Sequence, residues 1–227
     1  MAAARGKLIV FEGPEGAGKT TQIRLLADRL TSAGILCVGF REPGGTPVGD
    51  SIREILLDPE QQISAATESL LFMASRAELM AREVRPQLEK GAAVILDRFF
   101  LSTYAYQIAG RGLKEDEVRT ANRLATGGIV PDITLLLDIP AKKGMARAES
   151  RGARDRMERT GDGFHDRVNA AFTTFSTAEW QKAHPECGRI VRIDAGGDEA
   201  AVAARVDESL REVIAGVPRV LARAGEC

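Results

Sequence analysis

Leu8-Ile-Val-Phe-Glu12 runs straight into Gly13-Pro-Glu-Gly-Ala-Gly-Lys-Thr20, and Ile23, Leu26, Ala27, Leu30 and Ala33 follow at helical spacing. The apolar run, Leu8–Phe11, reads as a buried strand and the spaced run as an amphipathic helix that Gly34 can cap. The eight residues between them match G-x-x-x-x-G-K-[ST] in the context that motif requires. Its glycines let the backbone turn tightly and aim N–H groups at phosphate oxygens. The helix N-terminus adds partial positive charge. Lys19 supplies a point charge for the β- and γ-phosphates. Thr20 offers a hydroxyl to Mg²⁺, a hard cation that takes oxygen ligands. The stretch reads as a nucleoside-triphosphate loop, with Gly13, Pro14, Glu15, Gly16, Ala17, Gly18, Lys19, Thr20 and Thr21 as the ATP-binding residues. By itself it does not separate a kinase from a GTPase or a motor.

Outward from this loop, Ile35–Phe40, Ala92–Leu96, Ile133–Leu137 and Arg189–Ile193 are further short apolar runs. They are nearly continuous rather than alternating, as in a parallel sheet covered on both faces. Helical stretches separate them, so an α/β fold of the P-loop NTPase type is expected. The longest helix is predicted from about Ser64 to Lys90. Leu70, Ala74, Ala77, Ala81, Val84 and Leu88 form its core stripe, and Pro86 kinks or divides it. About 50 residues separate the second and third strands, more than one crossover helix needs, so a substrate-binding elaboration is expected there.

The 227 residues suit a single domain, 1–227, ending in a short tail from 216 to 227. Net charge is −1, with 31 basic and 32 acidic residues, which argues against a nucleic-acid partner. No apolar run approaches the roughly 18 residues of a membrane span, and nothing near Met1 reads as a signal core. A cytoplasmic location is expected. Cys37, Cys187 and Cys227 lack metal-ligand spacing, and the two histidines, His165 and His184, make a histidine metal site improbable.

Arginine-bearing segments follow successive strands. Arg41-Glu-Pro-Gly-Gly-Thr46 follows the second, with Arg53 one or two helical turns later, and Asp97-Arg98-Phe99 ends the third. Ligands of open α/β sheets bind at strand C-termini, so these segments and the phosphate loop should face one crevice. Phe72 and Arg76, four apart on one helix, share a face. An Arg41–Glu42 ion pair holding the turn is an equal alternative to a binding role for either residue.

Six stretches in order (FEGPEGAGKTT, REPGGTPVGDSIR, LLFMASRAEL, LDRFFLSTYAYQ with GRGL, PDITLLLDIP and RGARDRMERTGDGFHDRV) resemble the thymidylate kinase family, from Leu8 to about Ala195. The resemblance implies a five-stranded parallel sheet with a lid at about 147–167 and an acceptor-binding region at about 41–110. It implies Mg²⁺-dependent transfer of the γ-phosphate of ATP to dTMP, in a homodimer. By position it implies that Phe72 stacks on thymine, that Arg76 donates to a thymine carbonyl, and that Gln107 pairs with the thymine edge beside Ser75 and Thr103. Glu15 would accept from the sugar 3′-hydroxyl, Glu42 would contact the acceptor, Arg53 and Arg98 would grip its phosphate, and Asp97 would organise Mg²⁺ through water. In the branch whose phosphate loop lacks arginine, as this one does, the catalytic arginine comes from the lid. Arg151 and Arg156 match best, and join Lys19 and Arg98 as catalytic candidates. Phe99 and Phe40 stand where the family more often has tyrosine or histidine, and threonine. A deoxynucleoside kinase, which shares the loop, the Asp-Arg pair and the lid, and an ATP-binding regulatory protein remain the rival readings.

Overall fold

The computed structural model describes residues 5–214, apart from 141–142, 145–146 and 148–154. Five strands form one all-parallel sheet: β1 (Leu8–Glu12), β2 (Cys37–Arg41), β3 (Ala93–Asp97), β4 (Ile133–Asp138) and β5 (Ile190–Asp194). Their spatial order is β2-β3-β1-β4-β5. All five expected strands are present, each displaced by a residue or two at its ends. β1 is buried throughout, and β3 and β4 are buried except at their terminal aspartates. The edge strands β2 and β5 are partly exposed, because a neighbour covers only one of their sides.

One core layer packs Leu8, Val10, Leu96 and Leu136 beneath Leu79, Met80, Val84, Phe99 and Tyr104. The other packs Ile9, Phe11, Ile95, Leu135 and Leu137 beneath Leu26, Leu30, Val202 and Val206. Alternate residues of the same strands feed the two layers, as strand geometry dictates. Hence the sheet is sandwiched, and its apolar runs are continuous.

α1 (Lys19–Ser32) and α9 (Glu199–Leu210) cover the second face. The elaboration between β2 and β3 comprises α2 (Pro47–Leu57), α3 (Ala65–Leu79), a π-helical turn (Met80–Val84) and α4 (Arg85–Glu89). Thr46 and Ser64 cap α2 and α3 by accepting from Gly49 N–H and Thr67 N–H, each worth about 1 kcal/mol. Pro86 does not break the long helix. Immediately before it the Arg85 N–H reaches back five residues to the Met80 carbonyl, and the widened turn accommodates the ring.

The expected core stripe of this helix is half wrong. Val84 and Leu88 are buried, but Leu70 is 63% exposed and Ala74 and Ala81 face outward. The face of α3 turned inward carries Glu68, Ser69, Met73, Ser75, Arg76 and Leu79. Apolar periodicity misassigned it because its buried polar groups are hydrogen-bonded and therefore tolerated.

α5 (Phe100–Thr103) continues into a π-helical stretch, Tyr104–Gly110, and α6 (Glu115–Thr126) lies beside α3. α7 (Asp162–Thr174) packs on Tyr104–Gly110, and α8 (Ala178–Ala183) leads towards β5. The expected tail, 216–227, lies outside the described residues.

Candidate active site

Parallel register brings the ends of three strands into a row: Phe11 pairs with Asp97, and Asp97 with Arg41. The loop after β1 is therefore central, flanked by the turn after β3. A cleft of about 1120 Å³ opens over these ends, from Ala195 and Gly197 beyond β5 to Phe72 and Gln107 on the helical side.

Glu15 through Thr21 line this cleft. Gly13 has φ 136°, and a Cβ there would lie 2.3 Å from the Leu137 carbonyl oxygen, so only glycine fits between β1 and β4. Lys19 is buried, and its Nζ donates to the carbonyls of Gly13 (2.9 Å) and Pro14 (3.0 Å). Burial first, then the charge of Arg98, lowers its pKa to about 8. Thr20 Oγ1 donates to Asp97 Oδ2 at 3.4 Å. Asp97 Oδ1 is buried and has no hydrogen-bond partner among the described residues.

Arg98 has φ 72°, unique among the described non-glycine residues, a conformation that costs about 1–2 kcal/mol. Glu12, fully buried, holds it there. Its Oε1 accepts from the backbone N–H groups of Phe99 (2.8 Å) and Ser102 (2.9 Å), and its Oε2 from Ser102 Oγ (2.7 Å). A carboxylate accepting three such bonds from the residues just after Arg98 offsets the strain. The left-handed turn swings the Arg98 side chain across the cleft to Glu15, with Nη1 on Ser102 Oγ (3.0 Å) and the guanidinium 5.3 Å from the Tyr106 ring centre. Burial alone would lower the Arg98 pKa, but Tyr106, Glu15, Asp97 and Glu12 hold it above its ordinary value. Sequence reasoning assigned Glu12 and Tyr106 no role. The signal for Glu12 was a charge closing an otherwise apolar strand.

Arg53 Nη1 donates to the Pro43 carbonyl (2.9 Å). Burial, then the neighbouring charge of Arg41, with a further contribution from Arg98, lowers the Arg53 pKa. Arg41, Arg53 and Arg98 thus converge on one stretch of the cleft, where positive potential awaits an anion.

Arg76 is buried, and all five of its N–H groups have protein acceptors. Nε and Nη2 donate to Glu42 Oε2, Nη1 to Thr103 Oγ1 (2.8 Å) and Asn122 Oδ1 (2.6 Å), and Nη2 also to the Phe99 carbonyl (2.8 Å). Glu42 therefore pairs with Arg76 and not with Arg41, which resolves the alternative left open by the sequence. Any further acceptor in the cleft can receive an Arg76 N–H only by sharing one of these bonds. The Phe99 ring lies under the Arg76 guanidinium at 4.9 Å, so the phenylalanine found in place of a polar residue supports Arg76 through its π-face.

Phe72 is half-buried and lines the cleft, as do Thr103 and Gln107. Ser75 does not. It sits behind the wall, and its Oγ accepts from the Gly44 N–H (2.9 Å), fastening the loop after β2. Phe40 also lines the cleft while packing against the core.

The two lid candidates separate. Arg151 lies outside the described residues. Arg156 is tied down: Nε donates to the Leu56 carbonyl (2.7 Å), Nη1 pairs with Glu68 (2.8 Å), and its backbone N–H reaches the Leu57 carbonyl (3.1 Å). Its guanidinium thus fastens this segment to α2 and α3. Arg167 likewise donates to the carbonyls of Ala109 and Gly110. Arg147 lines the cleft.

A phosphate loop at the centre of a parallel sheet, an acidic residue poised beside it, and a convergent arginine cluster across the same cleft define a P-loop nucleotide phosphotransferase. Residues 11–184 match the family model for thymidylate kinase. The chain belongs to the thymidylate kinase family. It is 50% identical to a thymidylate kinase of Pseudomonas fluorescens strain SBW25, over 77% of this chain and 83% of the relative. It is 44% identical to one from P. fluorescens strain Pf-5 over 92% of this chain and 97% of the relative. Over 93% of this chain and 98% of the relative it is 45% identical to one from Synechococcus sp. strain JA-3-3Ab.

Proposed function

We propose that this chain, as a single kinase domain, transfers the γ-phosphate of ATP to dTMP by direct in-line displacement, giving dTDP for dTTP synthesis. The observation that carries this reading is one continuous cleft that Lys19, the loop residues, Arg53, Arg98, Phe72 and Gln107 all line. A donor triphosphate and an acceptor phosphate bound there meet in the middle.

The residues take the following parts. The loop amides and Lys19 hold the β- and γ-phosphates. Arg53 and Arg98 grip the acceptor phosphate and align its oxygen for attack, which supplies orientation rather than covalent chemistry. Phe72 stacks on the base, Gln107 reads its edge, and Arg76, with Glu42 and Thr103, forms the rigid wall. Glu15 accepts from the 3′-hydroxyl while remaining in reach of Arg98. The catalytic arginine of the lid is Arg151, with Arg156 as its anchor. The adenine is placed near Ala195 and Gly197, which line the far end of the cleft.

Mg²⁺ fits the donor set. Thr20 Oγ1 and Asp97 are hard oxygen donors, and the buried Asp97 Oδ1 is an acceptor without a partner among the described residues. Few protein ligands suffice, since this ion keeps waters and phosphate oxygens in its shell. When bound, it neutralises charge on the phosphates.

A homodimer is part of the same reading. Exposed Val48 and Ile55 on α2, Leu70 on α3 and Leu124 on α6 lie on three adjacent helices. Such an apolar stripe on neighbouring helices suits an isologous contact with a second copy. No helix among the described residues is long and apolar enough to cross a membrane. A cytoplasmic site of action is part of the same reading.

Coupled ADP release with Mg²⁺ tests the activity. Turnover is expected with dTMP and not with thymidine; the reverse would mark a deoxynucleoside kinase, and no turnover with either a binding protein. The same sample should sediment at about twice 24.4 kDa. A single-chain mass would remove the dimer from the proposal.

A further inference from the structure

Glu68 is fully buried in the first turn of α3, behind the acceptor end of the cleft. Its Oε2 meets Arg111 Nη2 and Arg156 Nη1, each at 2.8 Å, and its Oε1 accepts from Arg111 Nε at 3.0 Å. Burial alone would raise its pKa, but hydrogen bonds and charge from Arg111 and Arg156 outweigh burial and lower it. Two guanidinium groups around one buried carboxylate keep it ionised, and an ionised carboxylate only accepts hydrogen bonds.

The remaining neighbour of Oε1 is the side chain of Gln107, whose Nε2 donates to it at 3.2 Å. Gln107 is itself buried and lines the cleft. An amide can be turned either way about its last bond, and which end faces a ligand follows from what its neighbours accept or donate. Here the neighbour admits only the amino end. Were the amide reversed, its carbonyl oxygen would sit against a buried carboxylate, two acceptors with no hydrogen between them. Gln107 therefore keeps Oε1 and its second N–H for the cleft, in a fixed order.

That order has a chemical consequence, given the reading that Gln107 faces the base. Thymine offers N–H at ring position 3 beside a carbonyl. Cytosine offers a bare lone pair there beside an amino group, the opposite pattern. We propose that Glu68 is a positioning residue for base selection: by holding the Gln107 amide in one orientation it presents an acceptor to the ring nitrogen, and so selects thymine over cytosine. The discrimination lies in a residue that touches the neighbour of the substrate and not the substrate. A buried acceptor left facing a lone pair is the kind of mismatch by which binding sites reject analogues strongly.

Glu68→Gln tests this, because glutamine keeps the shape but both donates and accepts, which frees the Gln107 amide to turn over. The ratio of kcat/KM for dTMP to that for dCMP should fall by about 10-fold or more, whatever the change common to both substrates. Glu68→Asp, still acceptor-only, should retain most of the ratio even at lower kcat. A residue that merely holds the fold or the lid would lower both substrates together, so an unchanged ratio in Glu68→Gln overturns the proposal. So does an equal collapse of the ratio in Glu68→Asp and Glu68→Gln. Should Glu68→Gln fail to fold, Gln107→Leu serves: the ratio must fall there too, and an unchanged value refutes the proposal. Wild-type protein inactive towards dTMP would instead sink the kinase reading itself, a separate and prior result.

Discussion

Arg98→Ala should lower kcat/KM for dTMP by about 10²–10³-fold, while the dissociation constant of ATP stays within a few-fold of wild type. Arg98 is a partly buried, permanently charged group, held in the cleft by a left-handed turn that Glu12 stabilises from beneath. Deleting a preorganised charged donor costs about 2.7–4 kcal/mol, and this truncation also takes the Arg98 guanidinium away from Glu15. ATP should be spared because Lys19 and the loop amides bind it without Arg98. The loss of Arg98 also removes a positive neighbour that depresses the Lys19 pKa, so the lysine becomes easier to protonate. Calorimetric titration of each nucleotide separates the two. Equal losses for dTMP and ATP would show that Arg98 supports the whole site and does not grip the acceptor.

Lys19→Ala should reduce kcat by about 10²–10³-fold, the usual cost of deleting one preorganised donor to a developing charge. A pH profile gives a second measurement on the wild type. In the free protein the Lys19 pKa is near 8, lowered chiefly by burial, whereas a bound polyphosphate favours the charged ammonium and raises it. Below pH 8 the ammonium is present before and after binding, and ATP affinity is flat with respect to this group. Above pH 8 binding must take up a proton, so affinity weakens by up to tenfold per pH unit until the bound-state pKa is reached. Lys19→Ala should abolish that slope. A slope of the opposite sign, or one unchanged in the variant, would assign the titration elsewhere. The lid arginine belongs to the same charge balance: Arg151→Ala should cost about 10³–10⁵ in kcat. Arg156→Ala should act through lid placement, raising KM as well. Identical kinetic profiles for the two variants would remove that distinction.

Why did some residues read correctly in one dimension and others not? The strands and the phosphate loop depend on local pattern: apolar runs, glycines at positive φ, and a lysine at set spacing. α3 shows the limit. Its apolar residues Leu70 and Ala74 face outward, and its polar Glu68, Ser75 and Arg76 face inward. No periodicity shows this, since each buried polar group finds its partner far along the chain: Arg76 at Glu42, Thr103 and Asn122, and Glu68 at Gln107, Arg111 and Arg156. Arg156 and Ser75 show the same limit. Their residue types suit a phosphate or a pocket, and only the packing shows that carbonyls, a carboxylate and a loop amide already occupy them.

The chain by itself thus determined the sheet, the loop and the order of the arginine-bearing segments, because local backbone chemistry decides these. The tertiary structure alone decided which polar side chains face the cleft and which face one another. A hydrogen bond between distant residues leaves no trace in local pattern, yet in a buried site it determines what remains free to meet a ligand.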